Sequence, residues 1–204
     1  MTDGLAALQA GATCLTHTLN AMSPLHQRAP GLAGLITLRE DSSPHPPYFS
    51  LLGDGIHVAP SVATLLFRAA PHRAILISDS LELAGLPDGV YPGHAQIPHR
   101  QVKKGPVATI EGSDTLIGAC GTVADAVGNL VAWSGCGVAA AARTVTEDVA
   151  AFMGIADRGG LAEGQRADFV VLEEDGSVRE TWVGGRKLWS REDGWVNWSP
   201  HDES

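Results

Sequence analysis

Three short apolar runs, each closing on a residue with chemistry to offer, constrain this chain more than any other feature. Ala12-Thr13-Cys14-Leu15-Thr16 ends in His17. Tyr48 to Leu52 leads through Gly53-Asp54-Gly55-Ile56 to His57. Ala74-Ile75-Leu76-Ile77-Ser78 ends in Asp79. Short runs apolar on both faces belong to parallel strands covered by helices. In a (β/α) barrel, reactive residues at the C-terminal ends of different strands converge on one face. His17, His57 and Asp79 are therefore expected to meet in space although they are far apart in the chain.

Other segments supply the partners such strands need. Thr2 to Ala10 reads as a helix capped by Thr2 or Asp3, with Gly11 at its end. Pro60 opens a helix over Ser61 to Ala70. Further helices are expected over Val123 to Trp133 and, alanine-rich and closed by Gly154, over Val138 to Met153. Residues 23–34 read as a loop, and His94 to Val107 has loose strand character. Phe169 to Leu172 and Val178 to Val183 read as strands joined at Asp175-Gly176, with a second tight turn at Gly184-Gly185. The expected division is an α/β part over residues 1–158, with a sandwich-type insertion near 91–107, then a β-hairpin module over 159–190 and a polar tail over 191–204.

Composition removes several alternatives. At 204 residues and 44% hydrophobic the chain can bury a core. A net charge of -9, with no run of Lys and Arg, argues against a nucleic-acid partner. No run reaches the ~18 apolar residues of a membrane span. The N-terminus lacks a basic segment followed by an apolar one, so no signal peptide is expected and a cytoplasmic setting is. Cys14, Cys120 and Cys136 are odd in number and widely spaced, which suits thiols better than a disulfide framework.

The segments GATCLTHTLNAMSPLHQRAPGLAG (11–34), DGIHV (54–58), ILISDS (75–80), AGLPDGVY (84–91), GGLAEGQRADFVVLEEDG (159–176) and TWVGGR (181–186) give the chain a family resemblance. In order and spacing it resembles the N-acetylglucosamine-6-phosphate deacetylase branch of the metal-dependent amidohydrolase superfamily, over its C-terminal half. The first segment is the most diagnostic; the GQRADFVVL block is shared across the superfamily. The implied fold is α/β: the C-terminal part of a TIM-like (β/α)8 barrel plus part of a small β-sandwich. The implied reaction is hydrolysis of the acetamide of N-acetylglucosamine 6-phosphate to glucosamine 6-phosphate and acetate, with a divalent metal, zinc or iron. A complete member carries a metal-binding glutamate and a first metal-binding histidine upstream, and neither is expected in this chain.

Carried over residue by residue, the resemblance makes Asp79 the catalytic carboxylate and His17 a metal ligand. It makes Asn20, Ala21, Arg28, His57 and the segment Leu116-Ile117-Gly118 substrate contacts, with His57 helping to polarise the acetyl carbonyl. Chemistry agrees with those types: a carboxylate can move a proton from water to a leaving amine, neutral imidazole ligates zinc or iron, and arginine grips phosphate oxygens in pairs. After Gly118 the run Ala119-Cys120-Gly121-Thr122-Val123 departs from the family pattern, as does Glu147-Asp148-Val149 further on. His26, His45, His72, His94 and His99 read as surface residues, and Trp182 and Trp189 as packing of the small β-module. Asn197-Trp198-Ser199 matches a glycosylation sequon that is expected to be idle.

Two functions follow as expectations. One is an enzyme or enzyme part acting on a sugar phosphate, as a homo-oligomer or with a companion chain. The other is a non-catalytic remnant that binds a sugar phosphate or a partner chain. Three barrel strands alone are expected to leave two apolar edges unpaired, which favours association.

Overall fold

The structure, a computed structural model, describes residues 1–196. The sequon and Trp198 lie outside the described residues. Three strands form a parallel sheet: β1 (Cys14–Leu15), β2 (Tyr48–Leu52) and β3 (Ala74–Ile77), in the order β1-β2-β3. Leu15 pairs with Phe49, and Leu52 with Ile77, so the three C-terminal ends share one side of the sheet. Phe49, Leu51 and Leu52 are fully buried, as strands covered on both faces must be. Among the described residues this sheet is open, not a closed barrel.

Helices cover it. α1 is Thr2–Gln9; its N-cap is Met1, and neither Thr2 nor Asp3 caps it through a side chain. α2 (Pro60–Ala69) starts with Pro60 in its first turn, where the missing N–H has no helical partner to lose. Ala63, Leu66 and Phe67 recur at helical spacing and bury its inner face against the sheet. α3 (Val123–Ser134) opens on a capping box: the Asp125 N–H donates to Thr122 Oγ1 at 3.1 Å, and the Thr122 N–H donates to the Asp125 carboxylate at 2.9 Å. Gly135 ends α3 at φ 68°, in the left-handed region. Ala126 and Leu130 carry α3 onto the same core. The approach is close: a Cβ at Gly53 would lie 2.7 Å from the Ala126 Cβ.

The single helix expected over 138–153 is two, α4 (Val138–Arg143) and α5 (Glu147–Met153). Three successive β-branched residues, Thr144-Val145-Thr146, separate them. Thr144 Oγ1 donates to the Ala141 carbonyl at 2.6 Å and Thr146 Oγ1 to the Ala142 carbonyl at 2.9 Å, competing with helix continuation. The break exposes the Thr144 carbonyl to β3, where the Leu76 N–H donates to it at 3.2 Å. One amide on the outer edge of β3 is thereby engaged, while among the described residues no strand pairs beyond β3 or β1.

Two antiparallel sheets complete the fold. β4 (Gly89–Tyr91), β5 (Gln101–Lys104), β6 (Val107–Ile110) and β7 (Leu116–Ala119) form a meander, longer than the insertion expected near 91–107. It is joined to the parallel sheet by a bridge between Ser80 and Ala119. β8 (Phe169–Leu172), β9 (Val178–Val183), β10 (Arg186–Ser190) and β11 (Gly194–Trp195) form the last sheet. Its turns fall at Asp175-Gly176 and Gly184-Gly185. It runs on to Trp195, into the segment expected as a polar tail. Trp182 stacks on Phe169 with ring centroids 5.4 Å apart, and Trp189 pairs in register with Trp195.

Candidate active site

The C-terminal ends of the parallel strands supply the groups. His17 follows β1. Its N–H donates to Ser50 Oγ at 2.6 Å, and Ser50 Oγ donates to the Leu15 carbonyl at 3.2 Å, so β2 locks the turn after β1. The His17 ring meets the Asn20 carbonyl through Nδ1 at 3.0 Å. A carbonyl can only accept, so Nδ1 is the donor, and in the neutral ring Nε2 is then the bare nitrogen.

Asp54 and His57 follow β2. Asp54 Oδ1 accepts from the Ile56 N–H at 2.8 Å and the His57 N–H at 3.1 Å, an Asx turn. Its second oxygen, Oδ2, sits 2.5 Å from His57 Nδ1. The far side of the ring, Nε2, lies 3.9 Å from Asp79 Oδ2, beyond β3. The two pinned side chains are nearly closed to solvent, at 11% for His57 and 7% for Asp54, while Asp79 stays open at 35%. The imidazole thus stands between a buried carboxylate and an accessible one.

Backbone strain gathers here. Among the described residues the non-glycine positive-φ positions are His17 (29°), Leu19 (69°), Ala21 (51°) and Asp79 (47°). Such conformations cost about 1–3 kcal/mol each and persist where the surroundings impose them, often at functional sites. Three of the four are residues singled out from the sequence.

The other candidates are placed unevenly. Gly118 is buried in β7 and is brought to the site by the Ser80–Ala119 bridge; the Leu81 N–H also donates to the Ala119 carbonyl at 2.9 Å. Leu116 is exposed and Ile117 half-buried. Asn20 holds His17 through its backbone, and Ala21 is exposed beside it. Arg28 sits exposed at the tip of a turn closed by the His26–Ala29 bridge. His26, His45, His72 and His99 are exposed, whereas His94 is half-buried, with Nε2 3.1 Å from Glu82.

Sequence reasoning missed Asp54 and Ser50. Asp-Gly reads as a turn, and only the three-residue spacing to His57 hints at the second role. A serine inside an apolar strand carries no signal. Behind Asp54 lies a cavity of about 310 Å³, lined also by Ser78, Thr122, Asp125 and Asn129. Burial pushes the Cys14 thiol above its ordinary range, so it remains a thiol at neutral pH and offers no thiolate at the β1 end.

Among the described residues no group of three or more His, Cys, Asp or Glu side chains could hold a metal ion. A catalytic zinc commonly takes three protein ligands. These residues do not by themselves make a metal centre.

Parallel strands ending in an imidazole between two carboxylates gather proton-transfer groups at one end of an α/β frame. A model of the amidohydrolase family matches residues 66–188, and the chain belongs to that family. Within it, the chain is similar to N-acetylglucosamine-6-phosphate deacetylases. It is 36% identical over 187 residues to the one from Danio rerio, covering 91% of this chain and 45% of that protein. The crystal structure of the Thermotoga maritima deacetylase matches with a TM-score of 0.78 and 28% identity, covering 93% of this chain and 50% of the other. A Mycobacterium smegmatis variant in complex with N-acetyl-D-glucosamine-6-phosphate matches at TM-score 0.77 and 33% identity, covering 91% and 48%. The chain spans about half the length of the relatives it matches and fits the C-terminal half of such a protein.

Proposed function

We propose that this chain is part of an N-acetylglucosamine-6-phosphate deacetylase, a hydrolase that releases acetate and glucosamine 6-phosphate. The observation that carries the reading is the accessible Asp79 carboxylate at the end of β3, 3.9 Å from an imidazole that is itself fixed in place. Amide hydrolysis needs a group that removes a proton from water and delivers one to the departing amine. Asp79 has the exposure for both transfers, and its neighbour His57 faces the same space. His17, with Nε2 bare, suits a ligand of the divalent metal, zinc or iron, that family membership implies. The other donors are then supplied from outside the described residues, and no step is routed through the metal here. Asn20, Ala21, Arg28 and Leu116 to Gly118 are read as substrate contacts, with Arg28 taking the phosphate. The further strands of a barrel are read as docking beside β1, whether they belong to a longer form of this protein, a second copy or a companion chain, in the cytoplasm. No helix of the described residues is long and apolar enough to cross a membrane.

The test is acetate release from N-acetylglucosamine 6-phosphate by the protein in its native assembly, isolated through a tag on this chain. Asp79→Asn is expected to lower kcat by about 10²–10⁴ with KM little changed. Substrate-dependent acetate release that survives Asp79→Asn sinks the reading. So does an assembly that binds the sugar phosphate without turning it over, the behaviour of a non-catalytic remnant.

A further inference from the structure

We infer that Asp54 is a positioning residue that fixes the protonation geometry of His57, holding its proton on Nδ1 and turning a bare Nε2 toward Asp79. The two oxygens of Asp54 are committed to different tasks. Oδ1 accepts both backbone N–H groups of the turn, from Ile56 and His57. Oδ2 is left for the ring and meets Nδ1 at 2.5 Å. A carboxylate can only accept, so the ring nitrogen facing it must be the donor. The turn and the ring are therefore set by one buried side chain, and the imidazole can neither rotate nor exchange tautomers without breaking that bond.

The consequence concerns which way His57 can act. In its neutral form the nitrogen facing the site is an acceptor. It donates to a substrate carbonyl only after taking a second proton, and the acid group nearest that nitrogen is Asp79, at 3.9 Å. That span is too long for a direct hydrogen bond and short enough for one rotation of the exposed carboxylate to close. His57 thus polarises a carbonyl only when the ring carries both protons, with the ionised Asp79 carboxylate beside Nε2, and the proton that Asp79 takes from water is kept for the departing amine. The catalytic meaning of this rests on the deacetylase reading; the tautomer itself does not.

Nitrogen NMR on the full chain tests the tautomer without turnover. Uniformly ¹⁵N-labelled protein is recorded near pH 8, where imidazoles are largely neutral (about 1.5 units above the usual histidine value). The His57 signals are assigned by their loss in His57→Gln. The expected spectrum has a protonated Nδ1 and an unprotonated Nε2. Asp54→Asn gives the sharper result. Its Oδ1 keeps both backbone bonds, so its NH₂ group faces Nδ1 and donates to it. The proton should move to Nε2 and the two nitrogen shifts should exchange. Asp54→Ser retains a turn-forming acceptor and removes the ring partner; it should drift toward the Nε2–H form that imidazoles favour in water. An Nε2–H tautomer in the unmodified chain overturns the inference whatever the variants do. So does an unchanged Nδ1–H form in a folded Asp54→Asn chain. Either outcome leaves the acetate-release test untouched, and a failed acetate-release test leaves the tautomer result standing.

Discussion

Gly53 sits where β2 hands over to the Asp54 turn, and replacing it with alanine probes how tightly α3 is seated. The added Cβ would lie 2.7 Å from the Ala126 Cβ and 3.1 Å from the Ala126 Cα and carbonyl oxygen. Carbon atoms pack best at about 3.5–4.0 Å. The helix backbone, which cannot fold aside like a long side chain, has to give by the better part of an ångström. Overpacking of this kind costs about 1–3 kcal/mol. The displacement also strains the bond from Asn129 Nδ2 to the Gly53 carbonyl, 2.9 Å in the native fold and worth about 1 kcal/mol. Gly53→Ala should therefore destabilise by about 2–4 kcal/mol. That is a fall in melting temperature of about 4–16 °C for a chain of this size. Urea unfolding followed by circular dichroism, on Gly53→Ala, Ala126→Gly and the double variant, closes the cycle. Ala126→Gly alone should cost about 1 kcal/mol from helix propensity. The double variant should recover at least about 1 kcal/mol relative to the sum, well beyond the scatter expected of independent sites. A neutral Gly53→Ala, or costs that simply add, would refute the claim that α3 rests on this glycine.

Three further outcomes are expected. Thr122→Ala removes the hydroxyl that accepts the Asp125 N–H and should cost about 1 kcal/mol in urea unfolding; a change near zero would mean the capping box is not holding the start of α3. Burial pushes the Asp148 carboxyl above its ordinary range, against the pull of Arg143 at 3.0 Å. The native state then keeps that proton to higher pH than the unfolded chain, so its contribution is largest below about pH 3.9 and is lost as pH rises through the folded value. The stability of Asp148→Asn relative to the unmodified chain should accordingly rise as pH increases from about 4, and a flat or falling difference would contradict the assignment. In hydrogen exchange, the amides of Val170, Val171 and Trp182 should exchange well before those of Leu51 and Leu76, because β8 to β11 contribute nothing to the main buried cluster. Equal protection would show that the last sheet unfolds only with the core.

What could be read from the sequence, and what could not, follows from the physics of each segment. The strand-end reading placed His57 and Asp79 together because apolar runs buried on both faces leave few architectures open. The hairpin at Asp175-Gly176 was visible because its turn demands those residues; Gly176 adopts φ 85°. The break between α4 and α5 was hidden, since threonine is only mildly unfavourable in a helix and the flanking alanines outweigh it on paper. Sheet β4 to β7 was blurred for a different reason. In β5, Gln101 and Lys103 are the buried residues and Val102 is only half-buried, the reverse of the alternation that marks a half-buried strand. Lys103 is tolerated there because its ammonium reaches Asp88 at 3.2 Å. Asp54 escaped notice because one residue performs two jobs and sequence displays only the commoner one.

The Thr144 carbonyl at the rim of β3 gives the parallel sheet a polarity that bears on self-association. A strand arriving at that rim must first displace the bond from the Leu76 N–H, whereas no strand is paired to the far side of β1 among the described residues. A sheet with two bare rims can add copies head to tail without limit and grow into a fibre. With the Leu76 amide already engaged, a second copy arriving edge to edge would meet β1 as the less obstructed rim, and a β1-to-β1 pairing about a twofold axis would use that rim in both copies and stop at two. Thr144, in the Thr-Val-Thr run that interrupts a helix, would thereby also bear on how far such edge-to-edge assembly could run.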